Sequence, residues 1–586
     1  MTEFEQRNIR ILSVIVLLIG AFFIARLYFL QVVYGEEYRK AGERQYVATV
    51  PHLFDRGEIF FQEKDGKRVS AATIESGYLL TIDPTKITEP EKVYERLSEI
   101  VELDRERFLR QAQKPGVTYA EVAEHISAQD AERIKALQIP GVRLYLQSWR
   151  SYPARSLAAR TIGFIAYDGD HLVGRYGVER FYEDTLVRAE KELYLNFFAE
   201  LFTNLRQTLF DGDTSREGDV VLTIEPKVQA YVETELAGVM REWRSEESGA
   251  VVIDPRDGRI IAMAVDPSFD LNAFKDVDDP RLYTNPIVEN VYEMGSIMKP
   301  ITIAAGLDSG VITPHSTYND TGRIILNTKT ISNYDGRGRG PGTTMQMVLS
   351  QSLNTGVAYV VSRMGQERFA EYFLRRFKIG EETGIDLPNE VQGLVRNLES
   401  KREVEYATAS FGQGIAITPI NMVQALCVLA NGGTLITPHV VDRIVTGSGE
   451  RQLVPNPSPR VISATTSEEI TRMLVEVVDK ALLGGTVRIP EYSIAAKTGT
   501  AQIARPRELG GGYYDDRYLH TFFGYFPAYD PQFLVFLYTY HPKGAEYASH
   551  TLTHPFMRIT KFLLNYYAIP PDRDPTLATA RSINLP

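Results

Sequence analysis

Three short patterns in this chain combine a serine or threonine hydroxyl with a lysine or an amide: Ser296-Ile297-Met298-Lys299, Ser352-Leu353-Asn354 and Lys497-Thr498-Gly499, in that order. The chemistry they offer is acyl transfer through a serine ester. Pro300 is comfortable only near a helix start, which predicts Ser296 at a helix N-terminus. Free backbone N–H groups and the positive end of the helix dipole favour a developing anion there. Lys299, three residues on, shares the face of Ser296. An amine that is partly desolvated and close to other cations loses proton affinity, so Lys299 suits the role of base for the Ser296 hydroxyl. The strand-like Tyr492-Ser493-Ile494-Ala495-Ala496 leads into Lys497-Thr498-Gly499-Thr500. Gly499 lets a substrate backbone approach closely, so an extended peptide can add as one more strand. Lys497 supplies charge, and Thr498 and Thr500 supply hydroxyls, for a carboxylate. Each pattern alone has a plain alternative: a helix cap beside a surface lysine, or a strand ending in a turn. Ser582-Ile583-Asn584 in the tail repeats the second pattern.

The elements around these residues must form more than one core, since 586 residues exceed what one supports. An apolar fraction of 44% with 24% charged residues excludes a mainly disordered chain. A formal net charge of −11 speaks against a nucleic-acid binder. Cys427, the single cysteine, lies in the apolar run Met422 to Leu429 and reads as a small buried hydrophobe. The histidines show no metal-binding spacing, so no metal and no cofactor is expected.

Ile11 to Leu30 carries one charge, Arg26, and a helix of about 20 residues spans the hydrocarbon layer. Arg7 and Arg10 before it, with Glu36 and Glu37 after it, orient the N-terminus to the cytoplasm. No small-x-small cleavage site follows, so an uncleaved anchor in the lipid bilayer is expected, with the rest of the chain outside the cytoplasm. Beyond it, strands flank the turn Asp65-Gly66, and Tyr78 to Ile82 reads as a strand stopped by Asp83-Pro84. Helical spacing runs from Glu89 to Gln113 with a break near Asp104. Tyr194, Phe197, Phe198, Leu201 and Leu205 share one helical face, either a local core or a docking face for a membrane partner or the lipid surface. A boundary is expected at Asp211-Gly212-Asp213. Two strands then surround the turn Pro255 to Gly258, helical patterns follow, and strands return at Phe522 to Tyr525 and Phe533 to Tyr538. Strands at both ends of this region predict one antiparallel sheet covered by helices. Gly336, Gly338, Gly340 and Gly342 predict a mobile loop beside the cleft, and the tail after Ile569 reads as unstructured.

Taken together, the three patterns resemble those of class B penicillin-binding proteins, the monofunctional cell-wall D,D-transpeptidases. Arg56-Gly57-Glu58-Ile59, Arg150-Ser151-Tyr152-Pro153, Gly163 and Gly174 to Glu179 resemble signposts of that family's pedestal. Gly384 to Pro388, Ser410 to Gly414, Thr418-Pro419 and Thr500-Ala501-Gln502 resemble later ones. Met294 and Ala495-Ala496 depart from the usual Pro and Ala-Gly. The resemblance implies an α/β (α+β) chain of five parts: cytoplasmic tail 1–10, transmembrane helix 11–33, elongated mixed pedestal or dimerisation-type domain 34–215, transpeptidase domain 216–569 and tail 570–586. It implies that Ser296 is acylated by the stem peptide of peptidoglycan and by β-lactams. It gives Ser352 the relay of a proton to the leaving amine. By the same resemblance Asn354 is expected to fix Lys299 and bind a substrate amide, and the N–H groups of Ser296 and Thr500 to form the oxyanion hole. It implies a SEDS-type glycan polymerase and other divisome membrane proteins as partners, in the cell membrane with the catalytic domain periplasmic or extracytoplasmic. Asn285 to Glu293 looks more like division-type than elongation-type relatives. An elongation role, a non-turnover β-lactam sensor or scaffold, and a hydrolase remain the alternatives.

Overall fold

The computed structural model describes residues 55–169, 171–188, 217–453 and 459–574. The expected anchor, the 190–205 face, the boundary at Asp211 to Asp213 and residues 575–586 lie outside the described residues. Among the described residues no helix is long and apolar enough to cross a membrane. Contacts divide the chain into two compact units: 74–149 is the described core of the smaller, and 57–73, 150–187 and 217–574 belong to the larger. The larger unit therefore includes two stretches that precede position 215.

In the smaller unit, the second half of the strand Arg68–Ile82 pairs antiparallel with Ala120–Ile126. Helices Pro90–Ser98 and Arg105–Ala112 cover it. Asp104 divides the two helices because its carboxylate caps the second, accepting from the N–H of Arg107 at 2.7 Å. Leu80, Ile82, Leu97, Phe108 and Ile134 form the core.

In the larger unit, Ile59–Gln62 pairs with the start of Arg68–Ile82 across the Asp65-Gly66 turn, where Gly66 takes φ +85. Ile59–Gln62 also runs parallel to Asp219–Leu222, which pairs with Val441–Thr446. The buried guanidinium of Arg150 donates to Glu179 at 2.7 Å and to the Gly57 carbonyl at 2.8 Å. Losing one side of such a pair strands the other charge.

The main sheet has five antiparallel strands: β1 (Glu247–Ile253), β2 (Ile260–Asp266), β3 (Ala495–Ala504), β4 (Tyr513–Phe526) and β5 (Phe533–Tyr540). Their order is β3-β4-β5-β1-β2, so the early hairpin joins the late meander through β5 and β1, and β3 is an edge. Both faces are covered. Val251, Ile253, Phe523 and Phe536 join the core that holds the central helices. Ala250, Val252, Phe522 and Leu537 pack with residues of α1 (Pro226–Trp243) and of α6 (Thr553–Tyr566). That two-sided burial explains why these strands read as continuous apolar runs. Between the sheet's two parts lie α2 (Lys299–Asp308), α3 (Asn354–Met364), α4 (Pro419–Ala430) and α5 (Ala464–Glu476). All of α4 is buried, Cys427 included.

Three details differ from the sequence reading. The strand expected at Tyr492 to Ala496 begins only at Ala495 and carries Lys497-Thr498-Gly499 inside it. The glycine run is only partly a loop: Gly336 and Gly338 lie in turn and coil, whereas Gly340 and Gly342 lie in a strand. Gly340–Thr344 pairs with Thr317–Asp320, and Arg323–Leu326 pairs with Lys329–Ser332. The alternating glycines hid this pairing because glycine weakens any strand signal. The tail begins with a fastening, since Asp572 accepts from the backbone N–H of Ser493 at 2.7 Å and Arg573 pairs with Asp479.

Candidate active site

Gly295–Met298 forms a 3-10 turn that runs directly into α2. Ser296 is half-buried in it, and Lys299 follows at the start of α2, fully buried. The turn is pinned to its neighbours by backbone groups. The Gly295 N–H donates to the Gly412 carbonyl at 3.1 Å, and Thr521 of β4 donates its hydroxyl to the Met294 carbonyl at 3.0 Å. A Cβ at Gly295 would stand 3.0 Å from the Thr500 carbonyl, and one at Gly499 would stand 2.3 Å from Thr521 Oγ1. The first approach puts Ser296 against β3 at Thr500, and a Cβ at Gly499 would also stand 3.0 Å from the Met294 carbonyl.

Ser352 is the meeting point of both lysines. Lys299 Nζ donates to the Ser352 carbonyl at 2.5 Å and lies 3.1 Å from Ser352 Oγ. Lys497 Nζ, reaching in from β3, lies 3.1 Å from the same Oγ and 3.0 Å from the Thr498 carbonyl. Ser352 itself takes φ +54, a left-handed conformation that turns its carbonyl toward Lys299 and that a serine keeps only when its surroundings hold it. Two buried ammonium groups around one hydroxyl cannot both stay charged. Burial first, and the Lys497 charge second, push Lys299 well below the ordinary lysine range. Burial lowers Lys497 to about 8. Both effects favour the neutral form of Lys299, whereas on Lys497 burial alone acts.

The sequence-named residues are not all used as the resemblance implies. Asn354 donates its side-chain N–H to the Ser332 carbonyl at 2.8 Å, while the contacts to Lys299 come from Ser352. Thr500 Oγ1 accepts from the N–H of Ala548 at 3.1 Å, which leaves its own hydrogen to donate. Across the strand pair from Thr500 stands His520, whose ring nitrogens meet Thr551 Oγ1 at 2.9 Å and the Glu546 carbonyl at 3.2 Å. Burial drives His520 down to about 4, so a neutral ring secures the segment that touches Thr500. Thr498 and Gly499 lie between Lys497 and Thr500 on β3.

Sequence reasoning missed Glu293. Its carboxyl accepts from the Tyr513 hydroxyl at 3.0 Å and from the Gly414 N–H at 3.1 Å, and burial raises it to about 7. It lines a cavity of about 340 Å³ with Tyr292, Leu394, Gln502, Leu519 and Tyr540. Its only sequence signal is its place three residues before Ser296. Gly412 was legible as part of a family signpost, but its role as the seat for Gly295 was not. Among the described residues no group of metal-ligating side chains is present.

The arrangement of a half-buried serine, a fully buried lysine one turn on and a second lysine on an edge strand defines a serine acyltransferase class. Residues 248–560 match the penicillin binding protein transpeptidase domain, and residues 55–192 match the penicillin-binding protein dimerisation domain. The chain belongs to the penicillin-binding protein transpeptidase family. It is 30% identical over 540 residues to stage V sporulation protein D of Bacillus subtilis, covering 91% of this chain and 81% of that one. It is 28% identical over 562 residues to the peptidoglycan D,D-transpeptidase MrdA of Acinetobacter baumannii, covering 87% and 81%. Penicillin-binding protein 2X of Streptococcus thermophilus shares the fold, with a TM-score of 0.70 at 18% identity over 89% of this chain and 81% of that one.

Proposed function

We propose the following course for the peptidoglycan D,D-transpeptidase reaction of this chain. Ser296 Oγ attacks the penultimate D-Ala carbonyl of a stem peptide lying along β3, and neutral Lys299 accepts the hydroxyl proton. The N–H groups of Ser296 and Thr500 hold the oxyanion, donors worth about a hundredfold or more in enzymes of this kind. Lys497, Thr498 and Thr500 bind the terminal carboxylate at the glycine-opened edge of β3. The proton passes through Ser352 to the departing D-Ala amine, leaving an acyl ester on Ser296. An amine of a neighbouring stem then attacks the ester, gives up its proton through the same groups and restores Ser296. β-Lactams follow the first half and stop at the ester. Asn354 binds a substrate amide. The observation carrying this reading is the Ser352 hydroxyl set between Lys299 and Lys497 at 3.1 Å from each.

In this reading 11–33 anchors the chain in the cell membrane, 34–215 is the pedestal, and 216–569 is the catalytic domain outside the cytoplasm. Asn285 to Glu293 favours a septal role, with a SEDS-type polymerase and divisome membrane proteins beside the anchor. The test uses the full chain in detergent with fluorescent penicillin, then with a thioester stem analogue plus a D-amino acid. Formation of the exchanged amide supports transpeptidation. Labelling without exchange points to a sensor or scaffold, and rapid loss of label points to a hydrolase.

A further inference from the structure

The carboxylate of Asp320 is almost wholly buried, 1% exposed, and four neutral donors surround it. These are the N–H of Gly322 at 3.0 Å, the N–H of Arg339 at 3.0 Å, Asn333 Nδ2 at 3.0 Å and Thr355 Oγ1 at 2.8 Å. Asn333, also buried, accepts from the Thr355 N–H at 3.2 Å, and its oxygen, 3.0 Å from the Thr355 hydroxyl, shares with Asp320 the single proton that hydroxyl can donate. The Tyr318 hydroxyl stands 3.0 Å from the same Thr355 oxygen. Burying a carboxylate is costly unless every lone pair is satisfied, and a directed network of this kind fixes geometry more tightly than apolar packing does.

What the network grips is the far end of the candidate site. Thr355 opens the first turn of α3, three residues after Ser352 and next to Asn354. Asn354 in turn donates to the carbonyl of Ser332, the residue before Asn333. The backbone of Ser352 is left-handed, which costs energy wherever its surroundings do not impose it. Its carbonyl and its hydroxyl are the groups that meet Lys299, and the hydroxyl also meets Lys497. A small rotation at Thr355 would therefore move both Ser352 oxygens relative to both lysines.

We propose that Asp320, acting through Asn333 and Thr355, is a positioning residue that holds Ser352 in reach of Lys299 and Lys497. The two small two-stranded sheets between Thr317 and Thr344 are then the mould for the second motif rather than an appendage to it. This rests on the reading of Ser352 as the proton relay. It adds that acylation speed, rather than ligand affinity, depends on a carboxylate that touches neither substrate nor lysine.

The test compares wild type, S296A, T355V, T355S and D320N in the full chain. Acylation by fluorescent penicillin is followed by stopped flow over a range of concentrations, separating half-saturation from the limiting rate, with melting measured in parallel. Thr355→Val removes the hydroxyl at nearly constant volume. Its limiting rate is expected to fall about tenfold or more with half-saturation within about twofold. T355S, which restores the hydroxyl, is expected within about threefold of wild type, and D320N is expected to follow T355V. A T355V protein that acylates at the wild-type limiting rate overturns the proposal even if it melts earlier, and so does T355S that is as slow as T355V. Unlabelled wild type, or labelled S296A, would instead overturn the reading of the site beneath it.

Discussion

Lys497→Met removes a charge while keeping most of the side chain's volume, so it isolates what that charge does to Lys299. Each Nζ lies 3.1 Å from Ser352 Oγ, so the two nitrogens are at most about 6 Å apart. At an effective dielectric of about 20, like charges at that separation repel by about 2.7 kcal/mol. That corresponds to about two pH units in a titration. Lys299 acts as a base only when unprotonated, so the acidic limb of the acylation rate marks its proton loss. In K497M that limb should move up by about two pH units, although burial still holds Lys299 below the ordinary lysine range. The basic limb, expected near pH 8 where Lys497 loses its charge, should vanish. The overall rate falls as well, because the substrate carboxylate loses its cation. The limb's position is therefore the diagnostic and the amplitude is not. The assay is the limiting rate of acylation by fluorescent penicillin from about pH 5 to about pH 10, a range that brackets the expected loss of charge of both lysines. An acidic limb that stays in place, or moves down, refutes the coupling of the two lysines.

Other outcomes follow from single contacts. Glu293 is raised from 4.5 to about 7, so the folded chain keeps a proton that the unfolded chain releases in that window. Stability from this group is full below pH 4.5 and is lost as pH rises to about 7. Glu293→Gln should flatten that fall by up to about 3 kcal/mol, read as a smaller drop in Tm between pH 5 and pH 8; an unchanged drop would contradict the burial argument. Gly412 sits at φ +76, and a Cβ there would stand 2.4 Å from the Gly295 carbonyl oxygen. Gly412→Ala should displace the nucleophile's turn and slow acylation by about a hundredfold; acylation at the wild-type rate would show that this contact is dispensable. Ser352→Ala removes the group between the lysines, and acyl transfer to an amine acceptor should fall by about a hundredfold or more. Equal exchange rates in S352A and wild type would remove Ser352 from the proton path.

Local signals told a good part of this structure. The Asp65-Gly66 hairpin, the break at Asp104 and the sheet with strands from both ends of its region all rest on turn and periodicity rules that act over a few residues. The reacting residues were legible because serine, lysine and glycine at fixed spacings leave few structural uses. What stayed hidden depends on distant contacts. Lys299 finds its carbonyl partner on Ser352 only because that residue is left-handed, which no neighbour in the sequence announces. Glu293 is enclosed only by Tyr513 and Gly414, both distant in the sequence. Asp320, which accepts directly from Thr355, lies on a strand whose partner, Gly340–Thr344, is masked by its glycines. The placement of Asn354 on Ser332 depends on the other pair, the hairpin of Arg323–Leu326 with Lys329–Ser332.

The central claim, that Ser296 carries the acyl group and Lys299 removes its proton, is tested most directly by locating the ester. Full chain exposed to penicillin should gain one adduct by intact mass, and peptide mapping should place it on Ser296. The adduct should be absent in S296A and should form at a small fraction of the wild-type rate in K299A. An adduct on any other residue, or an undiminished rate without the Lys299 amine, would contradict the account.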